Sequence, residues 1–294
     1  MLLDNLDHVE IGLNEKIYYS VSFKGERVLE ASPLSLTLET AVLGANPKIT
    51  DSKLSNTDEV IKTVYGSRKE IRDNNNQLTL GFEGGFLVEF RAYDTGVAYR
   101  FVTRLKEKQV TVKNEEVAYR FNWGVSAWVL DSKSYETNYK LMPLDVQNIQ
   151  NFNNNRSKIF LPMVVQSTPN VKVLITEAGL YDYSSLFLDH GNDYENFLNG
   201  TFGKYALTTK TGGFSNYSQL ADKESDYIAV TYGTREYPWR LLVISDDDST
   251  FADCDLIYLL SKPCELKETN WIKPGKVACE WWHDYLVEGQ NFKG

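Results

Sequence analysis

The sequence is poor in the residues that most often announce a chemistry. Its 294 residues include three cysteines, Cys254, Cys264 and Cys279, and three histidines, His8, His190 and His283. An odd, sparse set of cysteines without CxxC or Cys/His spacing is neither a disulfide framework nor a zinc site, and reads as small buried hydrophobes. Histidines so far apart argue against a histidine-centred catalytic site. No run approaches the ~18 consecutive apolar residues of a membrane-spanning helix. Basic residues are in the minority, Lys+Arg 31 against Asp+Glu 40, for a net charge of -9. That balance speaks against duplex DNA or an anionic membrane as partner. Met1-Leu2-Leu3-Asp4 lacks the basic and then apolar pattern of a secretory leader, so the sequence reads as cytoplasmic or as one whose leader has been removed.

What is present is a soluble composition, 42% hydrophobic and 13% aromatic, with 18 tyrosines. The core it can bury needs neither disulfides nor metals. The dominant pattern is period-2 alternation interrupted by turn residues, which marks half-buried strands. It runs through residues 17–23, 34–38, 78–82, 86–93 and 97–102, where Asp94-Thr95-Gly96 closes a hairpin. Residues 160–165, 171–176, 205–209, 226–232, 239–245 and 257–260 are further strand candidates. Helical periodicity is scarce, with one short possibility at 145–152 and another starting near Ser249-Thr250-Phe251, and 151–155 reads as an Asn-rich exposed loop. Many short strands and few helices predict an all-β fold, a sandwich of large sheets. Residues 266–275 read as an irregular linker, and the apolar burst Lys276-Val277-Ala278-Cys279-Glu280-Trp281-Trp282 reads as the opening of a further domain.

Several strings together resemble the amino-terminal domain of glycoside hydrolase family 97. They are Tyr65-Gly66-Ser67-Arg68-Lys69-Glu70-Ile71-Arg72, the run from Val88-Glu89-Phe90-Arg91 to Ala98-Tyr99-Arg100-Phe101, Leu174-Ile175-Thr176-Glu177-Ala178-Gly179-Leu180-Tyr181-Asp182-Tyr183, and Tyr237-Pro238-Trp239-Arg240. Trp271-Ile272-Lys273-Pro274-Gly275-Lys276-Val277-Ala278 resembles the segment leading into that family's barrel, although Cys279-Glu280 stands where the family has an aromatic and then an acidic residue. The resemblance implies a β-super-sandwich over residues 1–265, and a linker with the first strand of a catalytic (β/α)₈ barrel over 266–294. It further implies hydrolysis of α-glucosidic or α-galactosidic bonds, inverting or retaining, with calcium in the active site and a periplasmic setting. A barrel needs about 250 residues and only 23 follow Trp271, so the barrel and its catalytic carboxylates are expected outside this sequence.

Site expectations follow in two layers. No carboxylate pair announces itself as the acid and base of glycoside hydrolysis. The densest acidic cluster, Asp246-Asp247-Asp248 with Asp253 and Asp255, lacks the glycine and terminal glutamate of an EF-hand loop and reads as a solvated turn. Glu177, at the end of an apolar strand, reads by itself as a turn or capping residue at the sheet rim. By the resemblance it reaches across to the barrel as a calcium ligand. The long Gly- and Asn-rich loop over 189–203 offers Asn199, Gly200 and Thr201 as contacts for an α-linked oligosaccharide. Trp123, Trp128 and Trp239 are expected in the core, and Trp271, Trp281 and Trp282 facing the barrel. The leading expectation is therefore a non-catalytic domain that buttresses the barrel and supplies one calcium ligand. A stand-alone carbohydrate-binding β-sandwich and a mutarotase-like epimerase are the alternatives, the latter requiring a His and a Glu in one cleft.

Overall fold

A computed structural model describes residues 8–64, 66–122, 124–130, 138–144, 158–190, 197–273 and 275–276. Its strands, in chain order, begin with β1 (His8–Leu13), β2 (Ile17–Phe23), β3 (Glu26–Leu38) and β4 (Val42–Leu43). Next come β5 (Ile49–Lys62), β6 (Glu70–Phe82), β7 (Phe86–Tyr93) and β8 (Gly96–Arg120). Then follow β9 (Ser126–Val129), β10 (Lys140–Pro143), β11 (Met163–Gln166), β12 (Lys172–Ala178), β13 (Leu186–His190) and β14 (Phe197–Phe202). The series closes with β15 (Ala206–Gly212), β16 (Ser218–Glu224), β17 (Ala229–Glu236) and β18 (Trp239–Ser245). Two four-residue helices, α1 (Ser249–Ala252) and α2 (Leu256–Leu259), come after them. All the described pairings are antiparallel, as the all-β sandwich expectation requires.

The sheet is organised along β8. At its start β8 pairs with β7 and β18, in its middle with β17, and at its end with β3 and β14. Alternation of apolar residues fixes which face each strand buries. On β7, Phe86, Val88, Phe90 and Ala92 turn inward, and on β12, Val173 and Ile175 do the same. A bulge interrupts the β8–β17 ladder between Tyr232 and Thr234, whose partners are Gln109 and Arg104. Gly233 sits there because a Cβ would lie 1.9 Å from the Glu107 carbonyl oxygen, so only glycine permits the backbones to approach. A second, smaller core lies on the outer face. Trp239, Leu241 and Val243 are covered there by Leu256, Leu259 and Leu260.

Two expectations are corrected. Residues 257–259 belong to a helix and Leu260 caps its end, where a strand was expected. Leu256 and Leu259, three apart, turn one buried face to the sheet, and a short apolar run carries no period that tells the two states apart. The region after Glu177 is no open loop, because β13 and β14 pair across it and β14 pairs with β8. Strands β5 and β16, both mostly exposed, were not foreseen, since a strand wet on both faces lacks the apolar alternation. The expected helix at 145–152, the loop at 151–155 and the apolar burst around Trp281 and Trp282 lie outside the described residues. No helix among the described residues is long and apolar enough to cross a membrane.

Candidate functional site

Period-2 geometry decides where Glu177 points. Val173, Ile175 and Glu177 share one face of β12, and the first two are fully buried in the main core. Glu177 therefore does not project freely from the rim. It turns inward at the strand end, and its side chain is 12% exposed. The residue opposite it in the β12–β18 ladder is Arg240, which shares its inward face with Leu242 and Ile244. Glu115, on the inward face of β8 with Val117 and Tyr119, completes the group.

These three side chains form a buried ionic cluster. Arg240 Nε donates to Glu115 Oε1 at 2.8 Å and Nη2 donates to Oε2 at 2.6 Å, a bidentate fork. The third donor, Nη1, donates to Glu177 Oε2 at 2.6 Å. The other oxygen, Oε1, accepts from the Leu186 backbone N–H on β13 at 3.1 Å. Arg240 is fully buried and lies 5.3 Å from the centre of the Phe202 ring. Burial opposes its charge, but the Glu115 and Glu177 carboxylates outweigh that cost and hold its proton more firmly than usual. For Glu177 burial is the larger influence and raises its pKa, with Arg240 and the Leu186 N–H pulling back only in part. Two carboxylates on one guanidinium leave a formal charge of one negative unit. Tyr119, whose pKa burial also raises, lies alongside.

Calcium takes six to eight oxygen ligands, and Glu177 can supply at most two of those oxygens. Each of its oxygens accepts one hydrogen bond, so each keeps a lone pair. The net negative charge of the cluster favours a cation at that position. Among the described residues no group of three or more His, Cys, Asp or Glu could hold a metal by itself.

The other expected residues fall elsewhere. Asn199, Gly200 and Thr201 stand on β14, half-buried, in register with Asp189, Leu188 and Phe187. Gly200 has a packing reason to be glycine, since a Cβ there would come within 2.7 Å of Val117 Cβ and 2.8 Å of Leu186 Cδ1. The acidic turn is tied up by neighbours: Asp246 with Lys24 at 2.7 Å, Asp248 with Lys172 at 2.5 Å, and Asp253 and Asp255 with Arg68. Asp247 accepts from the Ser249 N–H at the start of α1. Trp239 is in the core, with the Arg91 and Arg100 guanidinium groups over its ring. Trp128 corrects the core expectation. It faces away from its buried neighbours Ala127 and Val129 and lines a shallow groove of about 400 Å³ with Tyr139, Val164 and Phe251. Trp271 is exposed. Trp123, Trp281, Trp282, Cys279, Glu280 and His283 lie outside the described residues.

Arg240 and Glu115 escaped the sequence reading. For Glu115 the signal was available, since it shares the parity of Val117 and Tyr119, and Arg240 is a charged residue inside the apolar run Trp239-Arg240-Leu241-Leu242, where both parities are apolar.

The family model described as "Glycosyl-hydrolase 97 N-terminal" matches residues 6–263. The retaining alpha-galactosidase of Bacteroides thetaiotaomicron is 34% identical over 96% of this chain and 44% of its own length. A protein of Streptomyces bingchenggensis named "Probable retaining alpha-galactosidase" is 24% identical over 92% of the chain and 38% of its own length. The chain thus spans less than half the length of these relatives. A solved family 97 enzyme from Pseudoalteromonas sp. strain K8, in complex with acarbose, has a TM-score of 0.77 over 94% of this chain and 39% of its own, at 23% identity, a likeness of fold. With the family model matched across nearly the whole sandwich, this chain belongs to glycoside hydrolase family 97 through its amino-terminal domain.

Proposed function

We propose that the chain serves as the amino-terminal domain of a longer α-galactosidase, buttressing a catalytic barrel and contributing Glu177 as one ligand of an active-site calcium. The observation that carries this reading is the state of Glu177. It sits at a strand end, is oriented by one guanidinium N–H and one amide N–H, and keeps a spare lone pair on each oxygen. Family membership and the names of the two curated relatives support the substrate class. In this reading α-galactosides are the substrate and the periplasm the setting. Calcium, when bound, would polarise the surroundings of the glycosidic oxygen or a catalytic water. The chain's own residues hold geometry. The paired strands β12 and β18 fix the position of Glu177, and the facing strand β13 fixes its rotation through Leu186. The acid, base or nucleophile carboxylates of hydrolysis are assigned to the barrel.

The test is to continue this chain with the carboxy-terminal remainder of the Bacteroides relative and assay an aryl α-galactoside. Hydrolysis is expected from the continued protein and none from the chain alone. Glu177→Gln in the continued protein is expected to lower calcium affinity and kcat together. Full activity with unchanged calcium affinity would refute the assignment. The groove beside Trp128 and Tyr139 favours one second reading, a carbohydrate-binding module. Micromolar affinity of the chain alone for a galacto-oligosaccharide would support that reading instead.

A further inference from the structure

We infer that Arg240 and Glu115 are positioning residues for Glu177: Glu115 occupies the fork of the Arg240 guanidinium, so Arg240 steadies Glu177 through one N–H and leaves its carboxylate able to ligate a cation. The inference rests on the reading of Glu177 proposed above and names what sets that ligand.

A guanidinium facing one carboxylate in a water-poor interior pairs with it through two parallel N–H bonds, since that geometry satisfies both partners best. Glu177, directly opposite Arg240 in the ladder, is placed to receive such a fork. It does not receive one. Nε and Nη2 are both committed to Glu115, at 2.8 and 2.6 Å, and only Nη1 remains for Glu177. The side chains of Arg240 and Glu115 are 0% and 2% exposed, so water does not compete for these bonds. Leu186 N–H holds the second Glu177 oxygen from a different strand pair, β13–β14, and so resists rotation of the carboxylate toward the arginine.

Charge follows the same logic. With Glu115 ionised the cluster carries one net negative unit, exposed to the outside only through Glu177. Without Glu115 the fork would turn to Glu177, the pair would be neutral, and both oxygens would face a guanidinium. An approaching cation would then meet a saturated carboxylate beside an uncompensated arginine. Partners that orient a metal ligand from behind typically set affinity by about 10–100-fold.

The experiment uses the continued protein described above, with calcium affinity measured by titration, kcat measured as a function of calcium, and thermal unfolding measured in chelator. Glu115→Gln is expected to weaken calcium binding by about 10-fold or more, with kcat recovering at saturating calcium, because the ligand itself is retained. Arg240→Lys, which keeps the positive charge but has no fork, is expected to weaken binding in the same direction. A purely structural role would lower the unfolding temperature in chelator and leave calcium affinity of the folded protein within twofold of the parent. That result, alongside loss of affinity in Glu177→Gln, would overturn the positioning role while leaving Glu177 a ligand. If Glu177→Gln itself binds calcium normally, the underlying reading fails instead. Should Glu115→Gln not fold, Arg240→Lys decides between the same outcomes.

Discussion

Two acidic regions of the molecule behave in opposite ways. The turn at Asp246, Asp247 and Asp248 concentrates three carboxylates in three consecutive residues, yet its ion pairs with Lys24 and Lys172 lie at the surface. The cluster of Glu115, Arg240 and Glu177 is spread over 125 residues of sequence and gathered in the interior. In the turn, water screens each charge, and pairing adds little. In the interior each group depends on its partners, because an unpaired charge there has no water to solvate it. The density of charge along the chain is therefore a poor guide to where charge matters, and the facing of each strand residue is a better one.

The comparison breaks most visibly at Arg240. Arg240→Met leaves Glu115 and Glu177 facing each other without a cation, and is expected to cost about 3–5 kcal/mol, read as a fall in the urea midpoint or loss of soluble protein. A smaller effect separates the two regions by pH. Burial raises the Glu177 pKa, so its contribution to stability is full below the unfolded value of 4.5 and is lost as pH rises through the higher folded value. Native protein should therefore lose stability relative to Glu177→Gln on going from pH 4 to pH 7, a trend followed by urea unfolding at each pH. For Asp246 the hydrogen bond from Lys24 lowers the pKa, and its contribution runs the other way, present above the unfolded value of 3.8 and lost in acid. The least effect is expected at the surface pair itself. Lys24→Ala should leave the unfolding midpoint at neutral pH within error of the parent, and a clear fall would show that the turn is not the solvated region described.

Much of the strand framework was legible because burial on one face imposes a period that sequence displays. β2 and β7 begin and end at the residues their alternation indicates, and β18, buried on both faces, shows instead as a short apolar run. The same rule was silent for β5, where Leu54 and Val60 are exposed and polar residues occupy both faces. It misled at 257–260, where four apolar residues fit a strand or a helix turn equally well. For the candidate site the strand-end position of Glu177 was legible, and its direction was not. Only the pairing of β12 with β18, and the side-chain contact of the far end of β8 with Arg240, brings residues 115, 177 and 240 together. That convergence is long-range, and no local window contains it.

β8 has a consequence for how the domain assembles. It lends an edge to five other strands, β3, β7, β14, β17 and β18, whose paired residues range from Glu30 to Val243. The ladders among β1–β3 and β5–β8 join near neighbours, but those that β8 makes with β14, β17 and β18 join segments distant in the chain and form only after the late strands have been synthesised. Chains of high contact order fold slowly for this reason, and the nascent polypeptide must carry an unpaired edge of β8 until β17 and β18 arrive.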